Sequence, residues 1–187
     1  MQTSETPNDE VLMERMAMGD QKAFAILYQR YWSKLCRFVR HYMNSTEDES
    51  KDVVQNVFVK VIQASDSFKP QFKFSTWIFT IAINTCKNEF RKEKRIQAFK
   101  GEIEKEIRSS VSADFLEDQE FSNALQSALQ KLDENHRLAF VLRIQEELPV
   151  TEVARLLDCP EGTVKSRVYY ALKKLSHVLQ EFNPETI

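Results

Sequence analysis

The sequence predicts an all-α protein with two small helical domains joined by a flexible acidic linker, the C-terminal one a helix-turn-helix. A length of 187 residues suits one large or two small domains. Only three Gly and five Pro, together with 42% hydrophobic residues, favour long helices around compact cores over a strand-rich fold. Along the chain, apolar residues recur at spacings of three and four, which is the helical period.

The N-terminal domain is predicted to span 10–95, after a disordered polar tail over 1–9. A short helix from Glu10 to Met18 ends at Gly19, and Asp20 can cap a long second helix. A single apolar stripe marks that helix: Phe24, Leu27, Tyr28, Tyr31, Leu35, Phe38, Val39 and Tyr42.

The third predicted helix begins at a capping box formed by Thr46 and Glu49. Its many β-branched residues could suit a strand, but apolar pairs that recur every four residues indicate a helix. The expected buried face consists of Val53, Val54, Val57, Phe58, Val61 and Ile62. The opposite face carries Asp52, Gln55, Asn56, Val59 and Gln63. One exposed Val usually has no meaning, yet amides around an apolar centre also suit a protein-docking patch.

A loop over 65–73 precedes a fourth helix, predicted from Thr76 to Arg95 with Ser75 as its cap. One face of this helix collects an aromatic ring, a hydroxyl, two amides and two cations. They are Trp77, Thr80, Asn84, Lys87, Asn88 and Arg91, with Phe68 and Phe72 in the loop before them. Such a face suits splayed single-stranded bases, because bases stack on aromatic rings and phosphates attract cations. Trp77 could equally be a core residue.

The net charge of −2 hides an uneven distribution. Residues 65–100 carry eight basic and three acidic side chains, whereas residues 101–120 carry seven acidic and two basic ones. This contrast indicates a local nucleic-acid surface followed by a separate tether, which we place at 96–119.

The C-terminal domain is predicted to span 120–182. Helical periodicity returns between Phe121 and Leu132, Asp133 can cap the next helix, and Pro149 ends it. A short helix, a tight turn and a long final helix then form a helix-turn-helix over 150–175. The outward side chains of the final helix are Lys165, Ser166, Tyr169, Tyr170 and Lys173. They suit phosphates and base edges in a major groove, although an ordinary helical hairpin with a solvated basic face has the same pattern.

Several classes of protein are disfavoured by the sequence. Cys36, Cys86 and Cys159 are distant from one another and odd in number, which disfavours disulfides and local zinc motifs. No apolar run reaches the roughly 18 residues of a membrane helix, and the polar N-terminus does not resemble a signal peptide. No glycine-rich phosphate loop, carboxylate pair or nucleophile with a base stands out. We therefore expect a cytoplasmic, metal-free protein that is not an enzyme and has no cofactor.

Two sets of motifs together resemble a known family. The first set runs from Gly19 to Phe24, from Asp52 to Gln55 with Phe58, and from Phe74 to Phe79 and on to Asn84. The second set comprises Leu148, Glu152 to Ala154, and Gly162 to Arg167. They resemble the second and fourth conserved regions of sigma factors, in the order and with the short linker of the extracytoplasmic-function (ECF) group of the sigma-70 family. The run from Gly162 to Arg167 alone also resembles response-regulator helix-turn-helices.

The resemblance implies a sigma factor, which carries core RNA polymerase to a promoter and helps to melt the DNA. The residues implied in docking on the clamp helices of the polymerase β′ subunit are Asp52, Gln55, Asn56 and Val59. Those implied in reading the melted −10 element, where one base is flipped into a pocket, are Phe68, Trp77, Thr80, Asn84, Lys87, Asn88 and Arg91. Those implied in reading the duplex −35 element are Thr163, Lys165, Ser166, Arg167, Tyr169 and Tyr170.

The resemblance also implies further partners, and the sequence departs from the family pattern at two positions. The linker would thread the RNA-exit path of the polymerase, the polymerase β flap would be a second contact, and an anti-sigma factor would mask both domains. Asn56 stands where the family usually has Glu, and Tyr170 stands where a basic residue is common.

Two rival interpretations explain less of the chain. A plain helix-turn-helix repressor or response-regulator output domain leaves the fourth helix unexplained, and a protein module that mimics a sigma factor without using DNA does not account for the basic segment at 65–100.

Overall fold

The computed structural model describes residues 7–100 and 116–182, and every regular element in these two ranges is helical. The N-terminal half contains helices α1 (Asp9–Ala17), α2 (Gln21–Met43), α3 (Glu47–Gln63) and α4 (Phe74–Lys100), with a 3₁₀ turn at Ser65–Ser67. The C-terminal half contains helices α5 (Leu116–Gln130), α6 (Glu134–Phe140), α7 (Val150–Leu156) and α8 (Glu161–Phe182), with a π turn at Val141–Gln145 after α6. The predicted all-α class is confirmed.

Three predicted helix starts are capped as the sequence indicates. The Asp20 carboxylate accepts hydrogen bonds from the backbone N–H groups of Lys22 and Ala23. Thr46 and Glu49 form the reciprocal capping box, and Asp133 caps α6. Each cap satisfies N–H groups that have no partner inside the helix, which fixes where the helix begins.

The start of α4 differs from the prediction. The helix begins at Phe74, so Ser75 lies inside the first turn and is not the cap. The backbone N–H of Phe74 instead donates to Glu10 Oε1 of α1 at 3.0 Å. A carboxylate from a distant helix therefore does the capping, and local sequence gives no sign of it.

The helices on either side of the predicted linker also extend further into it than the sequence predicted. Helix α4 continues to Lys100, five residues beyond the predicted end, and α5 begins at Leu116, within the segment predicted as linker. The remainder of the predicted linker, 101–115, lies outside the described residues, as do residues 1–6 of the predicted tail.

Helix α2 is the centre of the N-terminal half. Its side chains Leu35, Phe38 and Tyr42 are fully buried and pack against α3 and α4. The Phe38 and Phe79 rings meet edge to face at 5.4 Å, which locks α4 against α2. Ile62 was predicted to be buried but is 50% exposed. At 100° per residue, Ile62 lies roughly 100° around α3 from the centre of the face formed by Val54, Val57 and Val61, and that face is buried as far as the last turn.

The C-terminal half is built on α8, whose Val164, Ala171 and Leu175 are fully buried. Helices α5, α6 and α7 all contact α8. Buried side chains of both halves form one continuous hydrophobic cluster. The two halves thus pack against each other, a feature that the sequence did not predict.

Candidate nucleic-acid interface

One face of α4 is open to solvent along most of its length. Thr80, Asn84, Lys87, Asn88 and Arg91 are all exposed. The opposite face is buried, because Ile78, Ala82 and Thr85 pack into the core. This face therefore presents amides, a hydroxyl and cations on a rigid helix, as the helical period predicts. The five residues that the sequence predicted for this face therefore lie together on one side of α4.

The aromatic rings next to this face have different environments. Trp77 and Phe68 are half-buried and meet edge to face at 5.3 Å. Phe68 also packs against Phe74 at 6.0 Å, and Phe74 is fully buried. Phe72, in the same loop, is 55% exposed. Phe68 and Trp77 therefore help to hold the loop on the core, whereas Phe72 offers its ring to solvent.

The C-terminal part of the α4 face borders a cleft of about 470 Å³ between α4 and α6. The lining residues are Lys87, Phe90, Arg91, Lys94, Glu134 and Arg137. Four cations thus face one carboxylate, which makes the cleft attractive to anions such as phosphate.

A second open surface lies on α3. Asp52, Gln55 and Asn56 are exposed, as predicted from the helical period. Val59 and Ile62 are each 50% exposed and lie one turn apart on the same helix. The apolar centre of the predicted patch therefore has two side chains. Burying them against a partner would remove apolar surface from water, which is favourable.

The exposed face of α8 carries most of the predicted helix-turn-helix residues. Lys165, Ser166, Tyr169 and Tyr170 are exposed, and the rings of the two tyrosines lie 5.5 Å apart. The Ser166 hydroxyl donates to the Thr163 carbonyl at 2.9 Å, so its lone pairs remain open as acceptors.

Two of the predicted helix-turn-helix residues are less accessible. The Arg167 guanidinium donates to Cys159 Sγ at 3.4 Å, and its side chain is half-buried. Thr163 is half-buried as well. Arg167 thus contacts the turn between α7 and α8, whereas Lys165 and Tyr169 extend into solvent.

The three cysteines are free thiols, and burial disfavours ionisation of two of them. Cys86 is fully buried, and this burial raises the pKa of its thiol to about 12. Burial also raises the pKa of Cys36. Within residues 7–100 and 116–182, no three His, Cys, Asp or Glu side chains are grouped to hold a metal ion. None of the described helices is both long and apolar enough to cross a membrane.

Comparison with known proteins identifies two family regions. The model of sigma-70 region 2 matches residues 27–96, and that of sigma-70 region 4 matches residues 122–175. The chain is 35% identical to the ECF RNA polymerase sigma-E factor of Escherichia coli K12, over 95% of this chain and 97% of that protein. It is 29% identical to the protein of the same name from Haemophilus influenzae, over 95% of this chain and 98% of that one.

Two solved structures share the fold. CnrH, in complex with the cytosolic domain of CnrY, is 27% identical with a TM-score of 0.70 and covers 92% of this chain and 97% of its own. The sigma factor RpoE, in complex with the anti-sigma factor NepR from Bartonella quintana, is 27% identical with a TM-score of 0.68 and covers 85% and 98%.

Proposed function

Because this chain belongs to the ECF group of the sigma-70 family, we propose that its two halves read the two elements of a bacterial promoter. In this proposal, residues 10–95 recognise and melt the −10 element, and residues 120–182 recognise the duplex −35 element. The observation that carries the proposal is the presence of two separate exposed faces with nucleic-acid chemistry, on α4 and on α8, each inside a matched family region.

The α4 face is proposed to bind a single strand of the melted DNA. Lys87 and Arg91 supply cations for phosphates, and the Asn84 amide can donate to and accept from a base edge. The exposed Phe72 ring is the best-placed stacking partner in the preceding loop. Phe68 and Trp77 would act indirectly by holding that loop on the core.

The exposed face of α8 is proposed to recognise base edges in the major groove of the duplex DNA. Lys165 is a donor that suits guanine, and Ser166 can contact a base of either kind. Tyr169 and Tyr170 add exposed rings and hydroxyls beside them. Thr163 and Arg167 would support the turn that presents the helix, since the Thr163 N–H donates to the Pro160 carbonyl at 2.9 Å and Arg167 donates to Cys159 Sγ.

On α3, the proposed partner is the pair of clamp helices of the polymerase β′ subunit. Val59 and Ile62 provide the apolar centre, and Asp52, Gln55 and Asn56 provide the polar rim. This arrangement is typical of protein interfaces. We further propose that the chain is not an enzyme and that it acts in the cytoplasm with the polymerase.

An anti-sigma factor is the proposed regulator. CnrH was solved with the cytosolic domain of CnrY, and RpoE with the anti-sigma factor NepR. Because both resemble this chain over most of its length, a protein of that kind is proposed to mask it in resting cells.

Run-off transcription with purified core polymerase from the same organism tests the function. The wild-type chain should produce specific transcripts from a genomic fragment library. Val59→Asp should weaken core binding at least tenfold, because it places a charge in the apolar centre of the patch. The matched control is Met18→Asp, the same kind of change at the C-cap of α1, where the side chain is 86% exposed. An unchanged transcript pattern on adding the wild-type chain would refute the proposal.

A further inference from the structure

The cleft between α4 and α6 brings together cations that have no acidic partner. Lys87, Arg91 and Lys94 line it from α4, and Arg137 lines it from α6. Within residues 7–100 and 116–182, none of these four side chains is in an ion pair with a carboxylate. Elsewhere in the same ranges, carboxylates pair with Arg15, Arg30, Arg37, Lys51 and Lys92. The cations of the cleft are thus open to an anion from outside the chain.

Glu134 is the carboxylate among the residues that line the cleft, and it is bonded to α2. Its Oε1 accepts a hydrogen bond from the Tyr42 hydroxyl at 2.7 Å. Burial and this bond raise the pKa of Tyr42, so its hydroxyl remains a donor at neutral pH. Four cations against this one carboxylate leave an excess of three positive charges in the cleft. Because like charges repel, an anion that binds there relieves the repulsion.

Arg137 holds its guanidinium in a fixed position at the wall of the cleft. Its Nη1 donates to Gln130 Oε1 at 2.6 Å, and the guanidinium carbon lies 5.8 Å from the centre of the Tyr42 ring. Its Nε is buried and has no acceptor among the described residues. A guanidinium has five N–H donors and binds phosphate through two parallel hydrogen bonds. Arg137 therefore has donors left for a phosphate group.

The cations of α4 are spread along the cleft. Lys87, Arg91 and Lys94 are separated by four and three positions, so they share one face and span about 10 Å of the helix axis. A single phosphate group is shorter than this span, whereas a chain of linked phosphates can follow it. The volume of about 470 Å³ lies within the roughly 300–1,000 Å³ of small-molecule sites.

Phe90 forms an apolar part of the same wall. Its ring is half-buried and meets the Tyr42 ring edge to face at 5.6 Å, which holds it in place. An aromatic ring beside cations suits a nucleobase attached to phosphates, because the base can stack while the cations bind the charge.

We propose that the cleft between α4 and α6 is a binding site for a polyphosphate chain, either free inorganic polyphosphate or the triphosphate of a nucleotide. Arg137 and Lys94 belong to this site and not to the candidate −10 face. Lys87 and Arg91 belong to both, so a bound polyphosphate occupies cations that a single strand would otherwise contact. That consequence rests on the proposed function, whereas the site itself does not.

Isothermal titration calorimetry of the full chain with tripolyphosphate, ATP and GTP tests the site at physiological salt concentration. Tripolyphosphate should bind in the micromolar range with one molecule per chain. Tighter binding of ATP or GTP would identify a nucleotide as the source of the phosphate chain, with Phe90 as a contact for the base. Equal affinities would identify the phosphate chain alone as the group that is recognised.

Arg137→Gln and Lys94→Gln should each weaken tripolyphosphate binding at least tenfold, because each removes a charged donor to the phosphates. Lys94 is exposed, so its substitution tests the site even if loss of Arg137 disturbs the packing against Tyr42. Arg155→Gln is the matched control, since it is the same change at an exposed residue of α7 outside the cleft. Thermal unfolding followed by circular dichroism checks that each variant is folded.

Three results would overturn the site: no binding of millimolar tripolyphosphate to the wild type, unchanged affinity in both variants, or an equal loss in Arg155→Gln. The affinity of the holoenzyme for a pre-melted promoter, measured without nucleotides, separates the site from the proposed function. Arg137→Gln and Lys94→Gln should leave this affinity unchanged, and Arg91→Ala should lower it. If the first two variants lose promoter and polyphosphate binding in parallel, the cleft serves the DNA strand and the proposal is wrong. If Arg91→Ala keeps its promoter affinity, the proposed role of α4 fails and the polyphosphate site stands.

Discussion

At the scale of single residues, the aromatic rings near α4 divide into supporting and accessible groups. Phe68 and Trp77 are half-buried against Phe74, whereas Phe72 is 55% exposed. Spacing along the chain placed Phe68 among the candidates and gave no reason to prefer Phe72, because a loop has no period from which exposure can be inferred. The distinction comes from the packing of the loop on the core.

Asn84→Ala and Phe72→Ala should impair promoter melting more than duplex binding. A flipped base contacts these residues only after it has left the helix, and one stacked base is worth roughly 1–3 kcal/mol. Transcription should be poor on a fully duplex template and partly rescued on one with a pre-melted bubble. Equal defects on both templates would mean that melting is not the step these residues serve.

Phe68→Ala provides the contrast for that experiment. It removes packing against Phe74 and Trp77, so we expect it to lower thermal stability as well, by about 1–3 kcal/mol. Phe72→Ala should leave the melting temperature unchanged, since its ring is mostly in solvent. If the melting temperature of Phe72→Ala falls as much as that of Phe68→Ala, Phe72 also supports the loop and is not an accessible stacking residue.

At the scale of elements, each candidate helix has one face that packs in the core and an opposite face that is exposed for recognition. Helix α8 buries Val164, Ala171 and Leu175 while it exposes Lys165 and Ser166. The buried face fixes the position of the exposed one. A substitution on the exposed face should therefore change recognition without changing the fold.

Lys165→Ala and Ser166→Ala should each weaken binding of the holoenzyme to a −35 element by about 1–3 kcal/mol, because each loses a contact to a base edge. Affinity for duplex promoters with the native and an altered −35 element measures this. Lys22→Ala removes an exposed cation on α2, in the other half of the molecule, and is the matched control. If the variants lose core-polymerase binding to the same extent, misfolding and not DNA recognition explains the defect.

Helix starts and apolar faces were predictable from sequence because their causes are local. The caps at Asp20, Thr46 and Asp133 depend on residues two or three positions away, and buried faces follow from a fixed period. The start of α4 was not predictable, because its cap is Glu10, 64 positions earlier. The prediction that Ile62 is buried was wrong because the period shows which face of α3 is apolar, but not how far around the helix the buried part of that face extends.

At the scale of the whole molecule, the contact between the halves is the feature least visible in the sequence. Arg37 and Glu146 are 109 positions apart, and neither belongs to a repeating pattern. Each also has an ordinary alternative as a solvated surface charge. Only the three-dimensional arrangement identifies them as a pair. The candidate faces on α3, α4 and α8 were predictable because helical period alone groups their residues.

The pH dependence of this contact can be derived from His41. Burial lowers the pKa of His41, the bond to Gln145 opposes that shift, and the neighbouring Arg40 and Arg37 add to it. While the two halves are in contact, His41 thus binds fewer protons than it does when they are apart. The stabilising contribution of His41 to the contact is complete above the ordinary histidine pKa of about 6.5 and is lost as pH falls through the lowered pKa that His41 has while the halves are in contact.

Glu146 contributes with the opposite sign. Burial raises its pKa, while the Arg37 guanidinium opposes the shift. Its protonation therefore favours the contact between the halves as pH falls, so the effects of the two groups must be separated experimentally. The substitution His41→Gln does this, because an amide can still donate to Gln145 Oε1 and has no charge to gain.

The wild-type chain should therefore expand as pH is lowered from about 7.5 to 5.5, and His41→Gln should expand less over the same range. Radius of gyration from small-angle scattering at several pH values measures the difference, and circular dichroism at each pH confirms that the helices persist. Since Glu146 is present in both proteins, the difference between them reports on His41 alone. Identical pH profiles would mean that His41 remains neutral, or equally charged, in both forms, and would remove protonation of this residue as a cause of opening.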